Sequence, residues 1–106
     1  MNKTVLIMFL LLGINLNATE RVKCEELFKG AIYNFYLENS CKFNKHVSSA
    51  LRKEFEKQNC TKMFSDENMK KLNSKVLGES YTAMNEMGRD DFCKSNKTAY
   101  DALVKQ

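Results

Sequence analysis

The chain has 106 residues, a net charge of +4, four cysteines, one histidine and no proline or tryptophan. That length allows one domain at most. The positive charge is mild and interspersed with acidic residues, and most of it is Lys rather than the Arg that planar phosphate recognition favours, so no nucleic-acid partner is expected.

The first eighteen residues stand apart from the rest. Lys3 is followed by the apolar run VLIMFLLLGI and then by Asn15, Leu16, Asn17 and Ala18. This is the order of a secretory signal peptide. Residues 1–18 are therefore read as that peptide, with cleavage after Ala18, although Leu16 departs from the small residue usual three positions before the cut. The run falls short of the roughly 20 apolar residues that span a bilayer. Residues 19–106 remain as the mature domain, and no other apolar run there is long enough for stable membrane insertion. Export to the periplasm or beyond, with an even cysteine count, predicts two disulfides. A domain this small buries little core and commonly relies on such staples.

Strand-like alternation is absent, and four helical segments predict an all-α, four-helix domain. The first covers Glu20–Leu37. Its apolar residues Cys24, Leu27, Phe28, Ala31, Ile32 and Phe35 recur at the spacing of one helix face, which is expected to be the core face. Asn39, Ser40 and Asn44 mark a turn. The second helix covers Lys45–Gln58, with Asn44 as N-cap and Val47, Ala50, Leu51 and Phe55 facing inward. The third starts at Ser65, an N-cap followed by Asp66 and Glu67, whose charges suit a helix start. Its stripe is Met69, Leu72, Val76, Leu77, Ala83, Met84 and Met87. Gly78 is a point where it could bend, and Gly88 ends it. The fourth covers Arg89–Val104, with Phe92, Ala99, Tyr100 and Leu103 on one face.

These helices select the disulfide pairing. Cys24 and Cys41 sit at opposite ends of the first helix, about 25 Å apart at the helical rise. A disulfide needs Cα atoms within about 7 Å. Cys41 and Cys60 flank the second helix and are excluded on the same ground. The pairing left is Cys24 with Cys60 and Cys41 with Cys93. An antiparallel hairpin of the first two helices brings the first pair together. The cysteine spacing lacks a C-x-x-C element, which argues against zinc and against a redox role.

No catalytic constellation emerges, and the chain is expected not to be an enzyme. His46 has no nucleophile motif near it. The carboxylate pairs Glu25–Glu26, Asp66–Glu67 and Asp90–Asp91 lie in first helical turns, where the helix dipole accounts for them. No metal, cofactor or phosphate-binding motif is present. Asn59-Cys60-Thr61 and Asn96-Lys97-Thr98 have the form of glycosylation sequons. Tyr33, Tyr36, Tyr81 and Tyr100 are the candidate partner-binding residues, because Tyr is often a contact residue at interfaces. The expectation is a small exported binding protein of inhibitor or immunity type, directed at another exported protein. The alternatives are a carrier of a small apolar ligand, lined by the Met-rich stripe of the third helix, and a secreted effector or toxin.

Overall fold

A computed structural model describes residues 20–104. The segment read as a signal peptide, with its cleavage site, lies outside the described residues. Four helices follow one another: α1 (Glu20–Cys41), α2 (Val47–Lys57), α3 (Asp66–Met87) and α4 (Arg89–Val104). A short 3-10 turn, Cys60–Met63, separates α2 from α3. There is no strand among the described residues, and no helix among them is long and apolar enough to cross a membrane.

α1 is the central element, and α2, α3 and α4 all pack against it. It continues one turn beyond the expected end, to Cys41, so Cys24 and Cys41 lie on a single unbroken helix. The disulfides are Cys24–Cys60 and Cys41–Cys93, with Cα atoms 5.4 and 5.5 Å apart. The first joins the start of α1 to the turn after α2. Beside it, Arg21 donates to the Met63 carbonyl at 2.6 Å and lies over the Phe64 ring at 4.7 Å. The second joins the end of α1 to the early part of α4. There Arg89 donates to the Ser40 carbonyl.

Two apolar clusters fill the interior. One, at the Cys24 end, holds Cys24, Leu27, Phe55, Cys60 and Phe64, with Met69 and Leu72 against it. The other, at the Cys41 end, holds Tyr33, Leu37, Val47, Val76, Phe92 and Tyr100, with Ala83, Met84 and Met87 against it. Leu51 of α2 touches both. α3 therefore runs alongside α1 in the same direction, with its early residues at one cluster and its late ones at the other. Ser65 caps α3 as expected, accepting from the Asn68 N–H at 3.0 Å. Gly78 does not interrupt it. Gly88, at φ +85°, ends it in a conformation that suits glycine.

α2 begins differently from the expectation. Asn44 is not its cap. His46 occupies that position in a left-handed conformation and makes no side-chain cap bond. The missing acceptor comes from another helix. The Ser48 N–H and hydroxyl donate to the Glu38 carboxylate of α1, at 3.2 and 2.5 Å. The same carboxylate accepts from the Tyr100 hydroxyl of α4 at 2.8 Å, and Tyr100 in turn accepts from the Lys45 N–H at 3.0 Å. One side chain thus links three helices. A carboxylate at a helix N-terminus also meets the positive end of the helix dipole.

Peptide mapping of the non-reduced protein should recover Cys24 with Cys60 and Cys41 with Cys93. Replacing Cys41 and Cys93 together by Ala should lower the unfolding free energy by about 4 kcal/mol, read by urea denaturation, as chain entropy gives for a loop of this size. Glu38→Ala should cost about 2 kcal/mol, because it strands donors on two helices. Glu38→Gln should cost less, since an amide oxygen still accepts.

Candidate functional site

Of the stripe expected to be the core of α1, Cys24 and Leu27 are buried and the later residues are not. The fully buried positions are Tyr33, Asn34 and Leu37, with Cys24, Leu27 and Gly30 nearly so. Phe28, Ala31 and Ile32 are half-buried, and Phe35 is 57% exposed. The inward face is rotated around the helix from the one that apolar spacing marks.

That rotation leaves an open cleft. α2 and α3 both pack on α1, but no Cα of one comes within 8 Å of a Cα of the other. Between them lies a space of about 510 Å³. Phe28, Ala31, Ile32 and Phe35 form its floor. Ser48, Arg52, Phe55 and Glu56 of α2 form one wall, and Asn73 and Leu77 of α3 the other, with Thr61 at one end. The lining is mostly apolar, and its volume falls in the range of small-molecule sites, roughly 300–1,000 Å³. Phe28 and Phe55 meet at 5.6 Å between ring centres, which closes the floor at the Thr61 end. Phe35 stands at the other end, where Ser48 is held by Glu38. The Met residues of α3 do not line this space. They pack inward on the two clusters.

The four tyrosines separate into different roles. Tyr33 and Tyr100 are buried to within 1% and are core residues, not contact residues. Their rings fill the interior while their hydroxyls find partners there. Tyr33 donates to Asn96 of α4, and Tyr100 to Glu38. Tyr36 is half-buried, stands edge-on to Phe92 and points its hydroxyl at the Met84 sulfur. Tyr81, 58% exposed, is the one of the four on open surface. It lies one turn beyond Leu77, the cleft residue of α3. All four cysteines are consumed in the bridges. His46 is exposed.

Three polar side chains are buried with the apolar ones: Asn34, Ser80 and Asn96. Each donates to the carbonyl four residues earlier in its own helix, namely Gly30, Val76 and Phe92. This local bond meets much of the cost of burying them. Asn96 is 1% exposed and bonded, so the sequon it heads is closed in the folded chain. The sequence does contain a trace of this role. Phe92, Asn96 and Tyr100 fall at successive four-residue steps on one face of α4. Asn59 is exposed, at a left-handed turn.

Burial holds the Tyr33 and Tyr100 hydroxyls above the usual tyrosine range. For Tyr100 the bond it donates to Glu38 adds to the rise. Glu26 is also raised, by burial first, with Lys29 opposing and Glu25 adding to the shift. One oxygen of Glu26 and the Asn34 Oδ1 are buried without a hydrogen-bond partner. Among the described residues no group of three or more His, Cys, Asp or Glu is placed to hold a metal ion. No family model, curated protein or solved structure matches this chain.

The raised tyrosines give a pH dependence with a definite sign. Their contribution to stability is complete below the unfolded tyrosine value, about 10. It is lost as pH rises through their higher folded values. Unfolding free energy should therefore fall on the alkaline side of about pH 10. In a titration of tyrosinate absorbance, part of the signal should appear only as the chain unfolds. Substituting both Tyr33 and Tyr100 by Phe should flatten the alkaline decline, whatever it does to stability at neutral pH.

Proposed function

We propose that this chain is a non-catalytic binding protein of an oxidising, extracytoplasmic compartment, and that it holds a small apolar ligand in the cleft between α2 and α3. The observation that carries this reading is the floor of that cleft. Four residues with the spacing of a buried helix face stand at the surface of a stapled domain, beneath a space of about 510 Å³. Covering a Phe or Ile side chain is worth about 1.5–3 kcal/mol. A ligand laid along Phe28, Ile32 and Phe35 would collect part of that at each residue. The floor belongs to α1, which both disulfides anchor, so little ordering cost opposes binding there.

A second reading has its own support. Phe35 and Tyr81 are large, exposed and carried on α1 and α3, the helices that supply the floor and one wall. They suit an inhibitor or immunity-type protein that seats part of another exported protein over the cleft. Such an occupant would bury Tyr81 as well as the floor, whereas a small ligand would leave Tyr81 in water.

The absence of tryptophan makes a clean test possible. Phe35→Trp installs a single indole at the open end of the floor. Titration with dodecan-1-ol below its solubility limit should shift the Trp emission to shorter wavelength and saturate. Adding Ala31→Phe, which fills the cleft from below, should abolish the saturable shift. An emission spectrum indifferent to the alcohol would sink the small-ligand reading.

A further inference from the structure

The cleft has one positive charge, and nothing in the described fold claims it. Arg52 stands on the α2 wall, midway between Ser48 and Glu56. It is exposed and has no carboxylate within ion-pair distance and no hydrogen bond among the described residues. The other two arginines of the chain do structural work, on the Met63 carbonyl with the Phe64 ring, and on the Ser40 carbonyl. The one carboxylate that lines the cleft with Arg52 is Glu56, a helical neighbour at i+4 that is not within ion-pair distance of it. Glu56 lies one turn along α2, toward the Phe28 end. Glu38, beyond Ser48, is already engaged by the Ser48 amide and hydroxyl and by Tyr100.

We infer that the ligand of this cleft is a single-chain anionic amphiphile, its hydrocarbon tail along Phe28, Ile32 and Phe35 and its carboxylate on the Arg52 guanidinium. This rests on the cleft being a binding site, and it adds the chemical class of the occupant. A guanidinium at the lip of an apolar groove offers a planar pair of donors to a carboxylate. The apolar floor offers nothing to a head group. A tail and a charged head are thus served by different parts of one surface. The net charge of +4 draws anions toward the protein in general, but only Arg52 is positioned to fix one within the cleft. Because the Arg52 head group is exposed, its effect on affinity is modest, about three- to fivefold.

Three ligands with one tail and different heads separate the two claims. Dodecanoate, dodecan-1-ol and dodecyltrimethylammonium are titrated into the ¹⁵N-labelled native protein at neutral pH, below their aggregation concentrations. Amide shifts of Ile32, Phe35 and Arg52 are followed. The expected order is dodecanoate, then the alcohol about three- to fivefold weaker, then the cation weakest. Arg52→Gln should bring dodecanoate to the affinity of the alcohol and leave the alcohol unchanged. Glu56→Gln should tighten dodecanoate. Equal binding of all three heads, or an Arg52→Gln variant that keeps its preference, overturns the anionic assignment while the apolar site stands. No binding of any of them overturns both. If light scattering then shows a dimer that Ile32→Asp dissolves, a second copy of the chain is what covers the cleft.

Discussion

Two covalent bonds, one near each end of α1, decide where the other helices lie. Cys24 sits at the start of α1 and binds Cys60, just past α2, so α2 must return antiparallel along α1. Cys41 sits at the end of α1 and binds Cys93, so α4 must begin there. α3 contains no cysteine. It is placed by its two ends, since it starts within a few residues of Cys60 and stops within a few residues of Cys93. It therefore has to travel the length of α1 in the same direction as α1. Its backbone stays more than 8 Å, Cα to Cα, from that of α2. The gap between them, and hence the cleft, is a consequence of where the bridges fall.

The interior that these bonds enclose is not purely apolar, and it does not need to be. A central helix has neighbours on several sides, so few of its positions escape burial. α1 meets this with Tyr33 and Asn34 as well as Leu37. An Asn or Ser inside a helix can bond the carbonyl one turn back, which lets it sit inside at little cost. Ser80 and Asn96 do so, and Asn34 does so with its amide nitrogen while its Oδ1 stays buried without a hydrogen-bond partner. What remains is used between helices. Asn96 also receives the Tyr33 hydroxyl, and Glu38 collects donors from α2 and α4. These directional bonds fix rotation about each helix axis, which apolar contact alone would leave loose.

Much of the architecture can be read from the residues, and the errors have a common cause. The four helices, the Ser65 cap and the Gly88 stop follow from local rules, and the disulfide pairing follows from helix length. The inward face of α1 does not. Periodicity arguments count apolar residues and treat Asn and Tyr as surface. On α1 that procedure selects Cys24 and Leu27, which are buried, but also Phe28, Ala31, Ile32 and Phe35, and it passes over Tyr33 and Asn34. Its apolar residues are in fact spread almost evenly around the axis, as expected for a helix packed on several sides. Tyr33 and Tyr100 were candidates for contact with a partner by the same habit, when their hydroxyls had partners inside. Glu38 leaves no local trace at all. Its role depends on α2 starting without a cap of its own, and a bond between residues ten apart is invisible to any pattern within one helix.

The misread face is also where the case for binding begins. A small domain that could fold α2 and α3 together over Phe28, Ile32 and Phe35 would gain stability by doing so. This one is held from it. Moving α2 toward α3 would pull Ser48 from Glu38 and draw the Phe55 ring out of the cluster it shares with Cys24 and Phe64. The disulfides offset what the open face forgoes, because they stabilise the fold whether or not that face is covered. A stapled scaffold can therefore keep an apolar floor ready at the surface without collapsing onto it, which is the physical condition a preorganised binding site requires.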